Sequence, residues 1–206
     1  MRKVVALGLA MVIVLCCACA REEQFFHEEY VDVPQDLQET PADVLKITVP
    51  ESYFVYTGSD PESEAVACVE MGLDYCTDAW AEEGTMIIEL TEKQRDNFIQ
   101  RNNEYGAELR TSFLELNENY KFEGSEDYTN ITFYCDENVA IMSLVEAMYG
   151  TTSQYALNYI LKNNSNDWCV HIKIVNYHTN KVVAEGDLPS DEITIGANEW
   201  AASYLE

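Results

Sequence analysis

The sequence predicts an α+β fold, with a mostly antiparallel sheet and helices packed on one of its faces. Strand-like and helix-like segments follow one another in the order β-α-β-β-α-β-α-β-β, and each strand carries apolar residues mainly on one face. Strands buried on both faces of a parallel sheet would be continuously apolar instead. Apolar residues make up 47% of the 206-residue chain, which is enough for a hydrophobic core.

The first predicted elements are a strand, a helix and a hairpin. Residues 45–49 alternate apolar and polar side chains, as a half-buried strand does. A helix is predicted over 61–71, because Asp60 can cap its N-terminus and proline suits its first position. Residues 73–91 read as a β-hairpin, with its turn at Glu82-Glu83-Gly84.

Two long helices and three further strands follow. The sequence Thr-Glu-Lys-Gln at 91–94 is a capping box, and it opens an amphipathic helix that extends to about residue 118. Residues 129–136 alternate as a strand. Asn138 can cap a second long helix that runs to about residue 162, and the last element is a hairpin over 168–189.

The N-terminus determines the expected location. Two basic residues precede an uncharged run over 4–20, which is typical of an export signal. Ala18 before Cys19 resembles a bacterial lipobox, in which a small residue precedes a cysteine that becomes diacylated, although Cys16 stands where leucine is usual. We therefore expect a diacylglyceryl group on Cys19 to anchor the exported protein to the outer face of the cytoplasmic membrane.

This interpretation divides the chain into three parts. Residues 1–19 are the signal peptide ending at the lipobox cysteine, 20–42 are an acidic flexible tether, and 43–206 are a single α+β domain. Two alternatives stay open for the N-terminus. Ala18-Cys19-Ala20 also fits ordinary signal peptidase, and the apolar run is just long enough for a retained transmembrane anchor.

The charge of the chain limits its partners. The net charge is −25, and it becomes −27 once the two basic residues of the signal peptide are removed. Nucleic acid is excluded as a partner, because no basic patch could neutralise its phosphates. A basic protein, or another component of the cell envelope, is the partner that this surface would attract, and solubility alone also explains the acidity.

Three segments resemble a known but uncharacterised family. They are the strand ITVP after an acidic tether, the hairpin that leads into TEKQ, and the closing VNYHTNKVV. Together they resemble small acidic cell-surface lipoproteins of Gram-positive anaerobes, over residues 44–188 in outline. Asn180 and Lys181 stand where glycine and glutamate are usual in that family's closing hairpin. The resemblance implies a surface lipoprotein and carries no activity or site residue.

The sequence contains no recognisable catalytic or cofactor motif. Nucleophile-elbow, zincin, C-x-x-C, Walker and dinucleotide-binding patterns are all missing, so we assign no catalytic residue, no metal site and no cofactor. Cys169 and His171 share a predicted strand face, but nothing orients them as a nucleophile and base.

The expected function is therefore a non-enzymatic interaction or binding domain. One alternative is a small-ligand-binding lipoprotein serving a transporter or sensor, which would need a concave aromatic pocket. A second alternative is a hydrolase whose catalytic residues follow no known pattern.

Besides the acylated Cys19, four cysteines remain after cleavage. Cys68 and Cys76 are eight positions apart, at a predicted helix end and in the following strand, and they form a possible disulfide in an exported protein. Period-2 alternation places Cys135 on the core face and Cys169 on the opposite face. A bridge between these last two is therefore not expected, because cross-strand partners must share a face.

The open face of the predicted sheet is the candidate binding surface. It combines two of the few lysines with aromatic residues, which are enriched at interface cores. An ordinary solvated sheet face is the simpler interpretation. The candidate binding residues are Lys46, Tyr134, His171, Lys173 and Tyr177, and Thr48, Ile87, Glu89 and Thr132 complete the face.

We expect Cys19→Ser to release the protein from membranes or to leave the precursor uncut, because the variant lacks the thiol that would be diacylated. Membrane fractionation and the apparent size of the chain measure both outcomes. Cys17→Ser is the matched control, since that residue would be discarded with the signal peptide. Unchanged membrane association with residues 1–20 intact would instead mean a transmembrane anchor.

Overall fold

The computed structural model describes residues 43–205, so the predicted signal peptide, the tether and Cys19 lie outside the described residues. The described chain contains five helices. They are α1 (Glu51–Thr57), α2 (Pro61–Glu70), α3 (Glu92–Leu114), α4 (Ile141–Asn163) and α5 (Ala197–Ser203). None of the helices between residues 43 and 205 combines the length and the apolar content that crossing a membrane requires.

The three helices expected from the sequence are α2, α3 and α4, and the first two begin at the predicted caps. The Asp60 carboxylate accepts a hydrogen bond from the Ser63 amide at 2.9 Å. Thr91 and Gln94 form the reciprocal capping box, with their two bonds at 3.3 and 2.7 Å. The expected cap at Asn138 is wrong, because α4 starts later and its N-cap is Ala140, whose side chain cannot accept a bond.

The strands form two sheets rather than the single sheet expected. Sheet A is antiparallel and contains β1 (Leu45–Val49), β2 (Asp78–Glu82) and β3 (Thr85–Leu90) in the order β1-β3-β2. The predicted hairpin is β2–β3, and its two turn residues, Glu83 and Gly84, have positive φ values of 49° and 81°. Two positive φ values in a two-residue loop match the right-handed twist of the flanking strands.

Sheet B is mixed. It contains β4 (Lys121–Gly124), β5 (Asn130–Cys135), β6 (Val170–Asn176) and β7 (Val182–Leu188), in that spatial order. The pair β5–β6 is parallel, because α4 carries the chain back so that both strands start at the same end of the sheet. Four of the five strand pairs are antiparallel, so the expectation of mostly antiparallel pairing and the α+β class are both correct.

Burial in sheet B is one-sided, as the alternation predicts. Ile131, Phe133, Ile172 and Ile174 are buried, whereas the residues between them on the other face are partly exposed. The strand β4 and the short helices α1 and α5 have no counterpart in the sequence-based assignment. Each is seven residues or shorter, which is too short for a period to stand out.

Helix α4 joins the two sheets into one core. It packs along α3 and also contacts α1, β1 of sheet A and β6 of sheet B. Its central turns are enclosed on all sides, and even polar residues such as Thr151, Gln154 and Asn158 are buried there. In these turns the helix contacts both sheets and a second helix and has little solvent side, which explains the apolar content on two of its faces, whereas its first turns, with Met142 and Val145, are exposed.

Amide side chains connect α3 to α4 in the middle of their interface. Asn102 donates to Asn158 at 3.1 Å, and the Asn103 carbonyl accepts from Gln154 at 2.8 Å and from Asn158 at 2.9 Å. The helices approach closely at Gly106, where an added Cβ would lie 2.2 Å from the Gln154 Oε1 atom. These bonds satisfy the buried amides and fix how the two helices are aligned.

We expect Gly106→Ala to lower the free energy of unfolding by about 1–2 kcal/mol. Alanine favours a helix over glycine by about 1 kcal/mol. Here its methyl group would displace the Gln154 amide, which donates to Asn103 and accepts from Arg110. Losing two bonds and straining the contact outweighs the propensity gain.

Urea unfolding of Gly106→Ala, Gln154→Ala and the double variant measures the coupling between the two sites. The double variant should be less destabilised than the two single effects added together. A Gly106→Ala protein that is more stable than the parent would contradict the close approach.

Candidate functional site

The structure divides the binding surface predicted from the sequence. Lys46 lies on β1 in sheet A, whereas Tyr134, His171 and Lys173 lie on β5 and β6 in sheet B. Tyr177 follows the end of β6. Because the residues belong to two separate sheets, they do not form the one face that the alternation suggested.

Carboxylates already neutralise the cations of that surface. Lys46 lies 2.8 Å from Glu89, and the ammonium of Lys173 lies 3.9 Å from Glu185. In addition, His171 Nδ1 lies 2.7 Å from Asp187. The result is a set of paired surface charges, of the kind that contributes little to stability, and not a free cationic patch.

Tyr177 lies against the core, and its expected place on the open face is wrong. The strand β6 ends at Asn176, so its alternation of faces does not extend to Tyr177, and Val175 and Asn176 just before it are both buried. The Tyr177 ring therefore packs against Tyr120, with 6.1 Å between the ring centroids.

Cys169 and His171 do not form a nucleophile and base. The Cys169 thiol is exposed, and no hydrogen bond joins it to His171, whose ring faces Asp187 and Glu185. Partial burial, with the nearby Asp187 and Asp191 carboxylates, raises the pKa of the Cys169 thiol and so disfavours the thiolate.

A concave cleft lies between α2 and α3. Its volume is about 540 Å³, within the range of small-molecule sites. It exists because α2 packs on β2 and β3 whereas α3 packs mainly on α4, so the two helices diverge above sheet A. The buried residues at its base are mostly aromatic or sulfur-containing: Tyr53, Phe54, Cys68, Met86 and Phe98.

The mouth of the cleft is polar and mostly acidic. Glu104 and Glu108, on α3, are exposed there, and Glu64 on the opposite helix α2 is half-buried. Burial, as the largest influence, raises the pKa of the Glu64 carboxyl above its ordinary value. Arg101 is the cation of the lining, and its guanidinium carbon lies 5.0 Å from the centroid of the Tyr75 ring.

A second groove lies between the start of α4 and α5. Its volume is about 560 Å³, and Glu137 is the charged residue of an otherwise mostly apolar lining. Ligand sites usually combine apolar walls with several converging polar groups. The first cleft has that combination and the second has little of it.

Residues 43–205 contain no group of three or more His, Cys, Asp or Glu side chains placed to hold a metal ion. The cleft itself could not be read from the sequence. Its lining comes from α1, α2, β3, α3 and α4, and Tyr53 and Phe54 belong to the helix that the sequence did not indicate. The available signal was the acidic pair Glu104 and Glu108 beside Tyr105 on a predicted helix.

The two cysteines proposed as a disulfide lie in contact with each other, and Cys68 is part of the wall of the cleft. Their sulfur atoms are 3.4 Å apart, and the Cys76 thiol donates to the Cys68 carbonyl at 3.2 Å. Both are buried thiols, and burial raises the pKa of each. A bond would require the sulfur atoms to close to about 2.05 Å, a small movement for side chains already in contact.

We expect Cys68 and Cys76 to be bridged in protein isolated from an oxidising compartment. Two thiols would lose two hydrogens to a disulfide-exchanging oxidant, and the loop that the bond closes would add about 2.5 kcal/mol of stability. Alkylation of the unfolded chain, followed by peptide mass spectrometry, distinguishes the states. Cys135 and Cys169 should be alkylated without reductant, and Cys68 and Cys76 only after reduction. Full alkylation of all four would contradict the bridge.

Comparison with known proteins assigns no family to this chain. No protein-family model, no curated protein and no solved structure matches it. Its function is therefore inferred from the chemistry of the aromatic cleft between α2 and α3.

Proposed function

We propose that this chain is an exported, non-enzymatic binding domain, anchored to the membrane by a diacylglyceryl group on Cys19, whose cleft between α2 and α3 holds a small ligand. The observation that carries the proposal is the cleft itself, with its aromatic base and charged mouth. A small-ligand-binding lipoprotein serving a transporter or sensor requires such a concave aromatic pocket, and this geometry favours it over partner binding on an open sheet face.

The cleft has features that support ligand binding. Above the buried rings of Tyr53, Phe54 and Phe98, the partly exposed Met71, Tyr75 and Leu157 offer apolar surface, and burying a ligand against it would be favourable at about 25 cal/mol per Å² of apolar area. Asn102 and Arg101 supply hydrogen-bond donors at the mouth, and the glutamates supply acceptors. Few polar groups around a mostly apolar cavity orient a ligand without covalent chemistry.

Several observations support binding without catalysis. In the described part of the chain, the thiol and imidazole closest to a catalytic pair, Cys169 and His171, are not joined by a hydrogen bond. Cys68 in the cleft wall is buried, and as a thiol it has a pKa that burial raises, which disfavours the nucleophilic thiolate; bridged to Cys76 it has no thiol at all. The strong negative charge would repel an anionic membrane surface, which is a reason for a lipid anchor.

The test fills the cleft without altering the fold. Ala67 lines the cleft from α2, and Ala67→Trp would place an indole ring in the space that a ligand needs. Ala107 is exposed on α3 outside the lining, so Ala107→Trp is the matched control. Ligand-observed NMR with small aromatic and aliphatic compounds of mixed charge should give binders that Ala67→Trp loses and Ala107→Trp retains.

Both variants should keep the thermal unfolding midpoint of the parent, which shows that the loss is local. Binders that are insensitive to Ala67→Trp would place the site elsewhere. A screen in which no compound binds the parent protein would remove the basis of the proposal.

A further inference from the structure

We infer that the cleft between α2 and α3 selects an organic cation, an amine or quaternary ammonium carrying an apolar group. This inference rests on the proposed binding function and adds the chemical class of the ligand. It follows from three properties of the lining: its charge, the position of Glu64 and the aromatic base.

The lining has more negative than positive side chains. Glu64, Glu104 and Glu108 face the cleft, against the one cation Arg101. The carboxylates come from both walls, since Glu64 lies on α2 and the other two on α3. A cation entering between the helices would therefore lie between opposed negative charges, whereas an anion would be repelled from both sides.

Glu64 is the carboxylate most in need of a cation. It is half-buried in the wall, and within residues 43–205 it forms no ion pair; its side chain has a hydrogen bond with Ser59, which stabilises the charged form only in part. Asp60, four positions earlier on the same side of the helix, adds a like charge and contributes to raising the Glu64 pKa. Burial of an unpaired carboxylate is unfavourable, and a bound cation would offset that cost.

The aromatic base suits the apolar part of such a ligand. Tyr53 and Phe54 lie edge to face, with 5.5 Å between their centroids, and Phe98 packs against the partly exposed Tyr75, with 6.5 Å between theirs. Cations interact favourably with aromatic faces within about 6 Å. The protein already makes one such contact here, since Arg101 lies over Tyr75.

A titration with three probes separates charge from shape. Benzyltrimethylammonium, N-benzylacetamide and phenylacetate share a benzyl group and carry a positive charge, no charge and a negative charge. We expect the cation to bind at least about tenfold more tightly than the neutral probe, and the anion to bind most weakly. The full mature chain is used, with NMR shift changes or calorimetry as the readout.

Two single substitutions identify the residue responsible. Glu64→Gln should weaken benzyltrimethylammonium binding about tenfold and change N-benzylacetamide binding by less than about twofold. Glu70 is exposed at the end of the same helix and outside the lining, so Glu70→Gln makes the same change in net charge and should leave both affinities unaltered.

Different failures point to different errors. Equal affinity for the three probes, or an equal loss for cation and neutral probe in Glu64→Gln, would overturn the cation inference while leaving the cleft as a binding site. Failure of benzyltrimethylammonium to bind would also overturn it. In each of these cases the proposed function still stands if the screened compounds bind the parent protein and do not bind Ala67→Trp. If no compound binds in either experiment, both fail.

Discussion

The enclosure of α4 is the constraint on which the other elements depend. This helix contacts both sheets and a second long helix, so it has to satisfy buried amides at its centre as well as apolar contacts. The bonds among Asn103, Gln154 and Asn158 meet that requirement. They also fix the position of α3 along the axis of α4. The hydrogen bonds of an amide network form in far fewer helix alignments than the contacts of an apolar surface do. The alignment of α3 against α4 also sets the position of α3 relative to α2, and so the shape of the cleft between those two helices.

Much of the fold was readable from local patterns. The alternation over 45–49 and 129–136 gave β1 and β5 their buried faces, and the caps at Asp60 and Thr91 began helices where the structure has them. These features depend on neighbouring residues alone. The division into two sheets does not, because it depends on which strands α4 brings side by side. A strand's own sequence does not specify its neighbour.

The binding surface predicted from the sequence is not the site found in the structure, and contacts between distant segments are again the reason. Placing Tyr177 by strict alternation extended β6 beyond its end at Asn176, and grouping Lys46 with Lys173 assumed one sheet. The cleft brings together residues of five secondary-structure elements. A pattern within one segment does not predict which other segments it will contact. The contact between Cys68 and Cys76 was partly predictable from the sequence. The short spacing of Cys68 and Cys76 suggested proximity, and packing of α2 on β2 places their sulfur atoms 3.4 Å apart.

The parallel pair β5–β6 sets the order in which the chain can assemble. Sheet A is complete once residue 90 is available, since β1, β2 and β3 all precede it. Sheet B takes two strands from each side of α4, so its centre cannot close until β6 has followed the helix. Contacts between segments so far apart in sequence form slowly. During synthesis, the edge of β5 that pairs with β6 therefore stays unpaired for the time needed to deliver some forty further residues. The exposed intermediate, rather than the finished domain, is the form of this chain most prone to aggregate.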